Sequence, residues 1–161
     1  MATPTNLPAS FVSGAVLTAS QQNDLRGAFR ILQVVSPTNN TTQISTTGTW
    51  TSTGVSATIT PQSTASKIFV VVNMALFVDS GNATGGLRIQ RASSVILTYA
   101  TALYTAGGAV QTNVPLITLD SPATTSALTY SVDFQKSFGS AIIYAQYAST
   151  PSTITLFEVS A

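Results

Sequence analysis

The chain has 161 residues, of which 7% are charged, six basic against five acidic, for a formal net charge of +1. A chain of this length makes one domain with a sizeable core, and so few scattered basic residues leave no cationic stripe for nucleic acid. Cysteine and histidine are both absent, which excludes disulfide frameworks, thiolate zinc sites, thiol nucleophiles and the Ser-His-Asp arrangement.

Ordinary soluble domains carry about 25% charged residues, so the polar faces here must be built from something else. Thr, Ser, Asn and Gln supply them, as in 38–48 and 121–126. These residues suit pleated surfaces and turns better than helices.

Residues 1–13 hold Pro4 and Pro8 and read as an extended arm. Thr18-Ala-Ser-Gln21 has the capping-box order, which predicts a short helix with Leu25, Ala28 and Phe29 along one stripe. The helix is expected either to dock on its own domain or, with the arm, to grip another subunit. Residues 1–30 are thus an arm and short helix, and 31–161 a β domain.

Ile31 to Val35 predicts an apolar strand ended by Ser36-Pro37, and a weak strand is expected around Gln43 to Ser45. Trp50 precedes Gly54 and a strand in which Val55, Ala57 and Ile59 alternate with polar residues. A lone Trp there is expected to plug the core. Lys67-Ile-Phe-Val-Val-Val-Asn-Met-Ala-Leu-Phe77 follows, apolar at successive positions. Such a strand needs cover on both faces, and a neighbouring subunit is the natural second cover. Ile68, Phe69, Val70, Val71 and Val72 are therefore candidate interface residues.

Asp79-Ser-Gly-Asn82 is a turn, with too few oxygen ligands nearby for a calcium loop. Leu87 and Ile89 alternate with Arg88 and Gln90, then Ser93-Ser94 turns into Val95-Ile-Leu97, a hairpin. Val110 to Asp120 supplies one strand or two, with Pro115 marking an edge or a bulge. Leu128, Tyr130, Val132 and Phe134 give the cleanest alternation in the chain, and Ile142 to Tyr147 and Thr153 to Val159 close the system. Eight to ten strands with turns about every ten residues predict an all-β fold, a jelly-roll-like antiparallel β-sandwich. No fixed-period repeat or heptad announces a fibrous shaft.

The apolar stretch from Ile68 to Val78 is roughly half the ~20 residues of a membrane-spanning helix, so no membrane insertion is expected. Without a basic region followed by an apolar one at the N-terminus, assembly in a cytoplasm is expected. Asp24, Asp79, Asp120, Asp133 and Glu158 are widely spaced, and no motif pairs two of them for glycoside hydrolysis. Gly85-Gly86 and Gly107-Gly108 lack the Lys and the helix of a phosphate loop. No catalytic, cofactor or metal residue is predicted. Arg88 and Arg91 read as solvated strand-face residues or as partners for a carboxylate across an interface, and the five tyrosines as packing or as the lining of a sugar or receptor surface.

Phe11-Val-Ser-Gly-Ala-Val-Leu-Thr-Ala-Ser-Gln-Gln-Asn-Asp-Leu-Arg26 resembles the N-terminal stretch of many small virion and tail-fibre-type proteins of tailed bacteriophages. The tract Val55 to Val72, with Ile59-Thr-Pro61 and Ser66-Lys-Ile68, is similar to β-sandwich modules in those proteins. The resemblance implies a non-enzymatic structural protein on the virion surface, commonly a trimer packed by one sheet face. Its partners would be copies of itself and the major capsid or tail protein of the same virion. The arm and helix, through Phe11, Val12, Leu17, Leu25 and Phe29, would anchor it. Lacking a shaft, the chain is expected to be a capsid decoration (cement) or head-fibre protein first, and a small tail-fibre or receptor-binding tip recognising host-surface glycan second.

Overall fold

The structure is a computed structural model that describes residues 30–160 together with Val16. The expected arm, capping box and helix, and with them Phe11, Val12, Leu17, Leu25 and Phe29, lie outside the described residues. What is described is all-β: β1 (Ile31–Val35), β2 (Thr38–Asn39), β3 (Gln43–Ser45), β4 (Thr51–Ile59), β5 (Lys67–Val78), β6 (Ala83–Arg91), β7 (Ser94–Thr105), β8 (Val110–Asp120), β9 (Leu128–Gly139), β10 (Ile143–Ala145) and β11 (Ser152–Val159). A single 3-10 turn, Tyr147–Ser149, lies between the last two strands.

The pairing explains the architecture. β1 pairs β11, β4 pairs β9, β5 pairs β8 and β6 pairs β7, all antiparallel. The chain is therefore one long hairpin whose tip is the β6–β7 turn. Rolling that hairpin up brings β11 onto β5 and β9 onto β6. Two sheets result, β1-β11-β5-β8 and β4-β9-β6-β7, the double Greek-key wrap of a jelly roll. The short strands extend the first sheet: β2 adds to β11, β10 follows β11 along the same edge of β5, and β3 pairs β10.

The core forms between the sheets because alternate residues of each strand point inward. β5 contributes Ile68, Val70, Val72, Met74, Leu76 and Val78, none more than 1% exposed. Opposite them stand Val55, Ala57, Ile59, Leu87, Ile89, Tyr130, Val132 and Phe134. Full burial of each large aliphatic side chain stabilises the fold by about 1.5–3 kcal/mol. The clean alternation expected in β9 is present, with Tyr130, Val132 and Phe134 all buried.

Two local features depart from the expectation. β4 begins at Thr51 rather than Val55, and its pairing with β9 shifts between Ser52 and Ser56. Gly54 occupies this bulge at φ 74, and a Cβ there would fall 2.5 Å from the Asn39 side chain, so only glycine fits. The buried Thr53 donates its hydroxyl to the Val132 carbonyl at 2.7 Å, satisfying a group that the bulge removes from the ladder. Consequently Trp50 shares the outward parity of Ser52 and lies on the outside of the second sheet, not in the core. Its ring edge rests over Gly86, where a Cβ would come within 3.2 Å of it, a tight contact.

The second is β7, which continues the expected hairpin strand at Val95–Leu97 as far as Thr105, with register shifts against β6 between Gly85 and Leu87 and between Ile89 and Gln90. The Asp79 turn is confirmed, and its Oδ1 accepts the Ile142 N–H at 2.9 Å, tying the turn to β10. Among the described residues no group of three His, Cys, Asp or Glu side chains is placed to hold a metal ion.

Candidate functional site

The two sheets present opposite chemistry to the outside. On the first sheet the outward residues of β5 fall in register with apolar residues of three neighbours. One row runs Val34, Phe157, Phe69, Leu119 across β1, β11, β5 and β8. The next runs Thr155, Val71, Ile117. Val34, Ile117 and Leu119 are 51%, 53% and 54% exposed, and Phe69 in the middle of the sheet is still 37% exposed. The Phe69 and Phe157 rings meet at 6.1 Å, tilted.

Further along β5 the row of Thr153, Asn73 and Pro115 interrupts this strip with polar and edge-strand residues. Beyond it stands a second cluster. Phe77 stacks on Tyr147 at 4.2 Å and meets Tyr144 at 5.7 Å.

The register divides the five interface candidates. Ile68, Val70 and Val72 are fully buried inside the chain's own core, so no partner can touch them. Phe69 and Val71 point outward and remain available. Val34, Ile117, Leu119 and Phe157 complete the same surface, and the sequence reading passed over them. Their signal was the apolar doublets Leu116-Ile117 and Leu156-Phe157, which, like Phe69-Val70, place one apolar side chain on each face.

The second sheet's outer face is mostly polar, with Tyr104 and Phe138 exposed on it singly. Arg88 forms an ion pair with Asp133 at 2.8 Å and lies 4.7 Å from the Trp50 ring centre, so the guanidinium is held by a carboxylate and an aromatic face together. At the end of the sandwich, Arg91 on β6 donates to both oxygens of Asp120 on β8 at 2.8 and 2.7 Å. The buried Tyr130 hydroxyl donates to the same carboxylate at 2.7 Å. This triad fastens the first sheet to the second. Both arginines are thus engaged within the chain rather than solvated or free for a partner's carboxylate.

Burial, and next the hydrogen bond to Asp120, push the Tyr130 phenol above its ordinary value of 10.0, while the Asp120 hydrogen bond raises Arg91. The raised Tyr130 value fixes the sign of a pH effect. Below about pH 10 the phenol is neutral folded and unfolded, and its contribution is complete. Above it the unfolded chain loses the proton first, so stability falls by up to about 1.4 kcal/mol per pH unit. Urea titrations between pH 9 and 11 should show this decline, and Tyr130→Phe should flatten it.

Each described carboxylate has a donor in the chain. Besides Asp79, Asp120 and Asp133, the fully buried Glu158 accepts the Gln33 amide at 2.6 Å and the Gln62 N–H at 2.7 Å. These contacts hold β1 and the β4–β5 turn against β11.

No protein-family model matches this chain, and no curated protein matches it. Among solved structures it is similar to a chain in the structure of the infectious bursal disease virus Gx strain, with 14% identity, 80% of this chain covered and a TM-score of 0.45. The infectious bursal disease virus VP2 subviral particle gives the same values. Dimeric latent PorU from Porphyromonas gingivalis is similar over 76% of this chain at 7% identity, with a TM-score of 0.32. The chain spans 38% of the length of the two viral chains and 13% of PorU.

Proposed function

We propose that this chain is a non-enzymatic structural subunit of a phage virion, displayed on the particle surface as a trimer, in the role of a capsid decoration or head-fibre protein. One observation carries the reading: the outward strip of Val34, Phe69, Val71, Ile117, Leu119 and Phe157, which the other described residues leave partly or largely exposed. The two rows span about five residues of 3.4 Å across four strands about 4.8 Å apart, roughly 330 Å² of apolar face. This is the centre of an interface that must enlist surface around the strip to reach about 1,200 Å², the size of the smallest specific interfaces. The threefold number is what the resemblance of residues 11–26 to phage virion proteins implies. The jelly-roll wrap agrees by analogy, since that architecture recurs in viral shells and lectins.

In this reading residues 1–30 anchor the subunit. Phe11, Val12, Leu17, Leu25 and Phe29 supply apolar contacts to the major capsid or tail protein, and extended backbone in the arm gains hydrogen bonds from its neighbour. Deleting residues 1–13 should abolish binding to particles while the trimer persists, as read by co-sedimentation with particles and by native mass. Particle binding that survives the deletion would refute the anchoring role.

A second reading, a small tail-fibre or receptor-binding tip that recognises host-surface glycan, uses the same assembly face. The observation favouring it is a set of exposed aromatic side chains on the opposite sheet.

A further inference from the structure

We infer that the outer face of the second sheet, between Tyr104 and Phe138, is a binding platform for an uncharged saccharide chain. The inference deepens the receptor-binding reading and rests on it, but it is independent of how the first sheet assembles.

The site is built by register. Thr84 on β6 pairs with Tyr104 on β7 and with Phe138 on β9, and all three point outward because their neighbour Ala83 is buried in the core. The two rings are 59% and 60% exposed, among the most exposed large side chains of the sheet. Among the described residues neither ring packs on another, and the Tyr104 hydroxyl has no partner. Folding gains nothing visible from leaving them so.

Geometry and charge then select the occupant. Two strand intervals separate the rings' backbones by about 9.6 Å. A pyranose ring in van der Waals contact on each side needs about 7–8 Å. The floor between them carries the Thr84 hydroxyl, and one step along lie Gln135 and Ser137, linked at 3.2 Å, with Ser137 reaching the Ala100 carbonyl at 3.3 Å. Hydroxyls and amides of this kind match sugar hydroxyls.

The nearest charges on this face, Arg88 and Asp133, neutralise each other, and Lys136 is paired with Gly85, whose missing side chain would point into the core at Ile143. Among the described residues an anionic glycan therefore finds no unpaired cation on this outer face. A protein partner is disfavoured because the rings stand apart, separated by polar side chains, unlike the continuous strip on the first sheet.

The single tryptophan, Trp50, lies over Gly86 beside this row, so its fluorescence reports on the face alone. The full-length chain would be titrated with neutral hexose oligomers (maltohexaose, cellohexaose, mannohexaose) and with polysialic acid as the anionic contrast. The expected result is a saturable change with at least one neutral oligomer and none with polysialic acid. Tyr104→Ala with Phe138→Ala should weaken it at least about tenfold while the native mass stays that of the parent. Absence of response to every neutral oligomer, an unchanged affinity in the double variant, or a preference for polysialic acid would overturn the inference. So would a changed native mass in the double variant, which would make the rings a protein contact. Failure here with the trimer intact leaves the decoration reading standing.

Discussion

Replacing Phe69 and Ile117 together by Asp is expected to yield a folded monomer. Both side chains point away from the core, on paired strands and adjacent rows of the first sheet's outer face. In the isolated subunit the new carboxylates reach water, so the loss is limited to contacts such as Phe69 with Phe157, about 1 kcal/mol. In the assembly they would be buried without partners and close to one another's copies, at several kcal/mol each. Light scattering should show one chain per particle, with a thermal midpoint within a few degrees of the parent's protomer. Val70→Asp, one residue away, provides the contrast: its side chain is fully buried in the core, and the variant should not fold.

The other large effect lies at the sheet junction. Asp120→Ala removes the acceptor of three hydrogen bonds and leaves the Arg91 guanidinium and the buried Tyr130 hydroxyl without it. An orphaned buried hydroxyl costs about 1–3 kcal/mol and the loss of a part-buried ion pair adds to it, so about 2–4 kcal/mol is expected by urea denaturation. Asp120→Asn keeps one acceptor oxygen and should recover part of the loss. Stability of Asp120→Ala within 0.5 kcal/mol of the parent, roughly the scatter for surface changes, would show that the triad does not join the sheets.

Much of this was legible in the sequence. Alternation in 128–134 and 55–59 gave the inward faces of β9 and β4 directly, because polar residues mark the other face. The run 68–72 has no polar residue, so its faces could not be assigned within the run. The flanks held the answer: Lys67 and Asn73 share the parity of Phe69 and Val71, and all four point outward. Trp50 likewise shares the parity of Ser52, which argued against a core position.

What no local pattern could give is the roll-up. Val71 and Ile117 are brought together by strand pairing across tens of residues, and Arg91 and Asp120 by the packing of one sheet on the other. The continuity of the apolar strip follows from the pairing, and the polar triad from the packing of the two sheets. Pro115 was readable as an edge signal, and β8 does pair on one side only, with β5, among the described residues.

Assembly as proposed requires copies of the chain to cover the first sheet's outer face with one another. Native mass spectrometry of the purified full-length chain at micromolar concentration addresses this most directly. The expected spectrum is a dominant species of three chains that collapses to one in the Phe69→Asp, Ile117→Asp variant. A parent protein that flies as a single chain at every concentration would contradict it.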